Sequence, residues 1–210
     1  MGIAERRKRE KRMRQRMIQD AALELFMQKG FYTVKMEDIS EKAELSIATI
    51  YIYFKSKDEL YASLIDIALE YLYDLVREVY ENEDLPANEK FMAYKEAMYK
   101  TYREHPTILR IIIHIQLYDT LKTLDRKLLD HLNEKGRQII DIFAGTYDEG
   151  VKQGVFKEGH GVAHADILWA IFTGLVLWED SKKKIDDRKD FLKPTLCRAF
   201  EIFCHGIQKG

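Results

Sequence analysis

The sequence predicts an all-α protein, with a small N-terminal helix-turn-helix domain followed by a larger helical body and about nine helices in total. Apolar residues recur at intervals of three and four along most of the chain, and the alternation typical of strands is rare. Helix-capping signals crowd into residues 33–60. A hydrophobic content of 46% over 210 residues allows a sizeable core. We expect the domains to cover residues 1–57 and 58–210.

The N-terminal segment is strongly basic. Residues 5–16, E-R-R-K-R-E-K-R-M-R-Q-R, carry eight basic and two acidic side chains, and residues 1–57 have a net charge of +5 against −6 for the remainder. Such a run is often a solvated tail. Beside a helix-turn-helix it indicates an arm or helix extension that contacts phosphate or enters the minor groove. The candidate contacts are Arg6, Arg7, Arg9 and Arg12.

The first full helix is expected from Met17 to Lys29, with Gly30 as its C-terminal stop. Residues 33–60 then predict the other helices of the small domain. Thr33 is expected to cap a helix over about residues 35–43. Ser46 is expected to cap a second helix that runs to about residue 54. The sequence Ser-Lys-Asp-Glu at 56–59 is a capping box, so a long helix begins near residue 57.

The second helix of this motif has an unusual outward face. On a helical wheel Ile50 and Phe54 lie on the core side, whereas Ala48, Thr49 and Ile52 lie opposite. Methyl groups suit thymine, and hydroxyl groups suit phosphates or base edges, so this face fits a major groove. The full set of candidate DNA contacts in the motif is Thr33, Ser46, Ile47, Ala48, Thr49, Tyr51, Ile52, Tyr53 and Lys57.

This segment resembles the DNA-binding region of the TetR family of bacterial transcriptional regulators. The residues that match the family pattern are Thr33, Ile39, Ala43, Ser46, Tyr51, Tyr53, Phe54, Ser56, Lys57 and Leu60. The sequence departs from the pattern at Ser40, Glu44 and Ala48. Glu44 matters most, because the family usually has a glycine in this turn and glycine adopts positive φ without strain. The resemblance implies a dimer that pairs through its last two helices and an effector pocket in the body.

The body is expected to be helical to its end. A loop is predicted around Pro86 and another between Gly154 and Gly159. The predicted helices cover residues 57–81, 88–104, a stretch that begins at 106, and residues 124–153, 163–183 and 189–208.

The last two helices are more apolar than a one-sided surface helix requires, which favours a two-fold interface built as a four-helix bundle. A monomeric core is the alternative. The candidate interface residues are Ile171, Leu175, Trp178, Leu196, Phe200 and Phe203. A dimer would present two recognition helices, which predicts an approximately palindromic operator.

An effector pocket is expected among body residues that are apolar along their length and polar at the tip. The candidates are Tyr94, Met98, Tyr102, His114, Tyr118 and Trp169. His114 stands out because a titratable group within I-I-I-H-I must find a partner. Taken alone, each of these residues is more typical of an ordinary core position satisfied by one hydrogen bond.

Other chemistry is not indicated. His160 and His164 lie four apart, but no third metal ligand is obvious except Asp166. No phosphate-binding, dinucleotide or hydrolase motif occurs, so neither an enzyme nor a cofactor is expected. The two cysteines read as buried residues. The longest apolar run, residues 167–178, is short for a membrane span and the N-terminus is charged, so a soluble, cytoplasmic protein is expected.

These observations predict a sequence-specific, DNA-binding transcriptional regulator. The favoured form is a repressor that a small, largely apolar effector releases from a palindromic operator. The alternative is a DNA-binding protein of the same fold that is independent of ligands or controlled by a partner.

Overall fold

The computed structural model describes residues 2–106, 126–186, 188 and 190–209. Its helices are α1 (Ile3–Lys29), α2 (Met36–Lys42), α3 (Ile47–Tyr53), α4 (Lys57–Tyr80), α5 (Ala87–Glu104), α6 (Arg126–Lys152), α7 (Gly161–Ile185) and α8 (Leu192–Ile207). The all-α prediction is confirmed, and the eight helices of the described ranges are close to the nine expected. The helix predicted to begin at residue 106 lies outside the described residues from residue 107 onwards.

The first helix is longer than predicted, because α1 begins at Ile3 rather than at Met17. Residues 5–17 consist of Arg, Lys, Glu, Gln and Met, which are all good helix formers, so the basic segment continues the helix. The predicted stop is confirmed. Gly30 has a φ of 78°, and its N–H donates to the Phe26 carbonyl at 3.0 Å.

Four helices form the core of the N-terminal head. Ile18 of α1, Ile39 of α2, Ile50 of α3 and Leu60 of α4 are all fully buried. Helix α4 then continues out of the head and packs on α5 and α6. The predicted division between residues 57 and 58 therefore falls at the start of α4, a helix that contacts both the head and the body.

The body packs α4 to α8 around a core rich in aromatic side chains: Phe91, Tyr94, Phe143, Tyr147, Phe172 and Phe200. Its buried polar groups are paired. The Lys90 ammonium donates to the Tyr80 carbonyl at 3.0 Å and lies 3.2 Å from the Glu149 carboxylate. This ion pair joins the end of α4 to α5 and α6.

Helix α7 lies against α6 and α8. By length and composition alone it could cross a membrane, the one helix in the described ranges that could. A single such helix is weak evidence, because core helices of soluble proteins meet the same criterion.

A buried carboxylate on α7 binds the end of the connection that leads to α8. Glu179 Oε1 accepts the backbone N–H of Phe191 at 2.7 Å, and Glu179 Oε2 lies 2.6 Å from the Lys182 ammonium. Burial raises the pKa of Glu179, but the hydrogen bonds from Lys182 and Phe191 outweigh burial, so the pKa lies below its ordinary value of 4.5.

Glu179→Gln is expected to lower the free energy of unfolding at pH 7 by about 1–3 kcal/mol, because the ion pair with Lys182 is lost. A lowered pKa gives stability that is present above the unfolded pKa and is lost as the pH falls through the folded one. The wild type should therefore lose more stability than the variant when denaturant titrations are repeated at pH 7 and below pH 4.5. Equal losses would contradict this role of Glu179.

Candidate nucleic-acid interface and effector region

The recognition helix α3 begins with the cap that the sequence predicted. Ser46 Oγ accepts the backbone N–H of Thr49 at 3.2 Å and lies 2.8 Å from Thr49 Oγ1. The two hydroxyl groups therefore share a hydrogen bond at the first turn of α3. This fixes the Thr49 side chain and leaves its methyl group as the apolar part of the turn.

The predicted division of α3 into two faces is confirmed. Ile50 and Phe54 are buried, whereas Ile52 is 76% exposed. Ala48 and Tyr51 are exposed, and Ile47, Thr49 and Tyr53 are half-buried. An isoleucine this exposed gains nothing from the core of its own motif. The DNA contacts assigned to this face remain predictions.

The turn between α2 and α3 adopts the conformation expected at Glu44. Its φ is 54°, and it is the one non-glycine residue with positive φ in the described ranges. The Leu45 N–H donates to the Ser40 carbonyl at 3.0 Å, which closes the turn. The fold accepts a glutamate here at the steric cost of a left-handed residue, about 1–2 kcal/mol.

Lys57, one of the predicted DNA contacts, has partners inside the head. Its ammonium donates to the carbonyls of Phe31 and Val34, each at 2.8 Å, and lies 4.3 Å from the centre of the Phe31 ring. Burial lowers the pKa of Lys57. This side chain ties the connector after α1 to the start of α4 inside the head, and its contact with DNA remains a prediction.

The structure contradicts the prediction that Thr33 caps α2. Helix α2 begins at Met36, and the Asp38 carboxylate accepts the N–H of Lys35 at 2.8 Å. Thr33 lies in the preceding turn, where it is exposed. At the start of α4 the predicted Ser56 cap is confirmed, since Ser56 Oγ accepts the N–H of Glu59 at 3.0 Å.

The predicted basic contacts Arg6, Arg7, Arg9 and Arg12 all lie on the N-terminal extension of α1 and are exposed. Arg6 pairs with Glu10 at 3.0 Å on the same helix. At the base of this extension, Gln15 lines a crevice of about 310 Å³ together with Tyr53 and Phe54. The extension therefore leaves the head beside the C-terminal end of α3.

The predicted pocket residues divide into three groups. Tyr94 and Met98 have no exposed surface, and the Tyr94 hydroxyl lies 2.7 Å from Thr146 Oγ1, so it is satisfied within the core. Burial raises the pKa of Tyr94. Tyr102 and Trp169 are half-buried. His114 and Tyr118 lie outside the described residues.

Half of the predicted dimer interface is wrong. Leu196, Phe200 and Phe203 are buried within the single chain, because this face of α8 packs on α5 and α7. Of the three residues predicted on α7, Ile171 and Leu175 are half-buried, and only Trp178 is largely exposed, at 63%.

A different apolar face is open to solvent. On α7 it is a stripe at spacings of three and four that comprises Ala163, Ile167, Ala170, Gly174, Leu177 and Trp178. On α8, Ile202 is a further large apolar side chain that is 61% exposed. We call these seven residues the α7–α8 stripe. The spacing is visible in the sequence, but α7 is apolar on both faces, so periodicity alone does not distinguish its core side from its exposed side.

The histidines considered as metal ligands have structural roles. His160 Nδ1 accepts the N–H of Ala163 at 3.3 Å and so caps α7. His164 stacks on Tyr147 with ring centres 4.0 Å apart. The described residues contain no group of three metal-binding side chains. Cys197 is half-buried and Cys204 is buried, and burial raises the pKa of the Cys204 thiol to about 11.

A short, capped α3 with an exposed apolar face, set beside a basic helix, defines a helix-turn-helix DNA-binding protein. Residues 18–64 match the family model described as bacterial regulatory proteins, tetR family. The head therefore matches the DNA-binding domain of the TetR family, and the protein is a DNA-binding transcriptional regulator.

Known proteins resemble it over nearly the whole chain. The fatty acid metabolism regulator protein of Bacillus subtilis is 28% identical over 184 residues, which cover 85% of this chain and 90% of the relative. The TetR-family regulator PfmR from Thermus thermophilus shares the fold with a TM-score of 0.73 at 19% identity, over 92% of this chain and 100% of that one. FadR from Bacillus subtilis, solved with stearoyl-CoA, has a TM-score of 0.68 at 21% identity, over 91% of this chain and 98% of that one.

Glu44→Gly is expected to raise the free energy of unfolding by about 0.5–1 kcal/mol relative to Glu44→Ala. Both variants remove the carboxylate, but only glycine relieves the strain of positive φ. The greater flexibility of glycine in the unfolded chain reduces this increase in stability. Denaturant titration of the two variants measures this difference directly. An alanine variant as stable as the glycine variant would show that the turn carries no strain.

Proposed function

We propose that the protein is a homodimeric repressor whose operator binding is relieved by a long-chain acyl thioester. The observation that carries the DNA-binding part is the outward face of α3, where Ile52 is 76% exposed between two tyrosines. Burial of this isoleucine against a thymine methyl group in the major groove would be favourable, because it removes exposed apolar surface from water. Ala48 and Thr49 supply further methyl groups on the same face, so the operator is expected to contain thymines at the contacted positions.

The α7–α8 stripe supports a two-fold dimer. Its large side chains, Ile167, Leu177 and Trp178, alternate with the small residues Ala170 and Gly174, which allow two helices to approach closely. A symmetric partner would cover this stripe and Ile202 of α8 at once, which forms a four-helix bundle. The dimer would carry two copies of α3 and therefore bind an approximately palindromic operator.

The relatives and the composition of the body support this effector class. The relatives include a fatty acid metabolism regulator and a FadR solved in complex with stearoyl-CoA. An acyl chain suits a helical body whose core is aromatic and aliphatic, and Tyr102 and Trp169 are half-buried residues of that body. Acyl-CoA is a cytoplasmic metabolite class, in keeping with the expected location of the protein in the cytoplasm.

Ile52→Ala is expected to lower discrimination at the base pair it contacts by about 1 kcal/mol without loss of stability, because the side chain is exposed. Selection of binding sites from random duplexes, followed by sequencing, measures this profile. Ile50→Ala provides the contrast, since it removes a buried side chain and should destabilise the head by about 2–5 kcal/mol. An Ile52→Ala profile identical to that of the wild type would exclude base contact by Ile52.

A long-chain acyl-CoA is expected to weaken operator binding by about 5–150-fold, the usual range of coupling between two sites. Fluorescence anisotropy with labelled operator measures the effect, and CoA and the free fatty acid of the same chain length are the controls. Operator DNA must weaken acyl-CoA binding by the same factor. If acyl-CoAs of every chain length leave the operator bound, control by a protein partner or by no ligand gains support.

Trp178→Glu is expected to convert the dimer to a monomer at micromolar concentration, because a charge in the centre of an apolar interface is left unpaired. Sedimentation velocity measures the mass, and Trp178→Phe, which keeps an aromatic side chain, should remain dimeric. The Trp178 side chain is largely exposed in the single chain, so its replacement leaves the core intact. A dimeric Trp178→Glu protein would place the interface elsewhere.

A further inference from the structure

The first turns of α1, from Ile3 to Arg14, form a basic extension, and residues 4–14 of it bury no side chain in the core. We propose that this extension binds the phosphates that flank each operator half-site as a helix, rather than as an extended arm inside the minor groove. The inference rests on the proposed function, because it assumes binding to duplex DNA. It decides between the two modes of contact that the basic sequence left open.

The extension is free to bind a partner. Residues 4–14 are all exposed, and the single large apolar side chain among them, Met13, is 55% exposed. Arg6 pairs with Glu10 on the same helix. Within the described residues, Arg7, Arg9 and Arg12 have no ion-pair partner, so their charges remain available.

The charge pattern of the extension favours a polyanionic partner. Basic residues at the start of a helix oppose its dipole, and like charges four residues apart, such as Arg7 with Lys11 and Lys8 with Arg12, repel each other. Both effects disfavour the helix in the free protein by a few tenths of a kcal/mol for each pair. A row of phosphates reverses both, because the same side chains then face negative charge.

The helical form excludes the minor groove. A helix with its side chains is about 10–12 Å wide, whereas the minor groove of B-DNA is about 6 Å wide. The extension is continuous with the packed part of α1, so it grows from an existing helix and avoids the cost of nucleation. It can therefore remain helical on DNA and lie on the backbone outside the groove.

The position of its base gives the reach of the contact. Gln15, the first residue after the extension, lines a crevice with Tyr53 and Phe54 at the end of α3. From Ile3 to Arg14 the helix is about 18 Å long at ~1.5 Å per residue. At about 3.4 Å per base pair, this length covers roughly five base pairs beyond the segment that α3 contacts.

Three variants of the dimer test separately whether binding by the extension requires its helical structure and its positive charge. Met13→Pro interrupts the helix at the base of the extension and keeps every charge, because proline removes a backbone donor and clashes with the preceding turn. Met13→Ala is the matched comparison that keeps the helix. A fourfold Arg→Gln variant at residues 6, 7, 9 and 12 removes charge and keeps good helix formers.

Hydroxyl-radical footprinting measures protection of the DNA backbone. Dimethyl sulfate distinguishes contacts in the two grooves, because it methylates guanine N7 in the major groove and adenine N3 in the minor groove. We expect the wild type and Met13→Ala to protect about five flanking base pairs on each side, with flanking adenine N3 still reactive. The Met13→Pro variant should no longer protect the flanks, and its affinity for the operator should fall at least tenfold. It should still protect the base pairs that α3 contacts. The Arg→Gln variant should lower the salt slope by about one unit per contacting side chain.

Flank protection that survives Met13→Pro, or protection of flanking adenine N3, would overturn the proposal in favour of an extended arm. A wild-type footprint without flanks would overturn it in favour of a solvated tail. In each of these results the central footprint of α3 remains, so the proposed function stands. If the wild type gives no sequence-specific footprint at all, the result contradicts the proposed function, and the inference fails with it.

Discussion

The ammonium group of Lys57 holds the DNA-binding head together. It donates to the carbonyls of Phe31 and Val34 at 2.8 Å and packs on the Phe31 ring, while Phe31 in turn lies 4.3 Å from Tyr61 of α4. These two carbonyls belong to the connector between α1 and α2, where no helix supplies backbone donors. Lys57 replaces those donors and so sets the position of α2 and α3 relative to α4.

Lys57 is also the first residue of α4, and α4 runs without interruption to Tyr80. Its later turns pack on α5 and α6, and its end is held by the Lys90 ammonium. Helix α4 therefore links the packed body to the connector that precedes α2. Further contacts cross the same junction, since Gln19 of α1 donates to Ser63 of α4 at 2.9 Å and His131 of α6 lies 2.7 Å from Asp66 of α4.

Local chemistry made much of the head predictable. The caps at Ser46 and Ser56, the stop at Gly30 and the positive φ at Glu44 each depend on one residue and its immediate neighbours, and all were confirmed. The core side of α3 followed from helical periodicity alone. The family pattern then added a function that periodicity could not supply, and the match over residues 18–64 supports it.

The errors concern residues whose role depends on distant parts of the chain. Lys57 was predicted only as a DNA contact, and its bonds to the carbonyls of Phe31 and Val34 could not be predicted because those residues lie more than twenty positions away. The dimer face was misplaced because α7 and α8 are apolar on more than one side, and only the packing of α5 against α8 shows that Phe200 is inside. The first full helix was expected only from Met17, and the basic run before it was left open as an arm or a helix extension, because like charges disfavour a helix although these residues are good helix formers.

The most direct test of the internal role of Lys57 is the salt dependence of operator binding by Lys57→Met, which keeps the length of the side chain and removes its donors. An internal role predicts that affinity for the operator falls at least tenfold, because α3 is displaced, while the slope of affinity against salt concentration stays at the wild-type value. If Lys57 is mainly a phosphate contact, the slope will instead fall by about one unit and the preference for the operator sequence will be unchanged. The second result would contradict the view that Lys57 holds the head together.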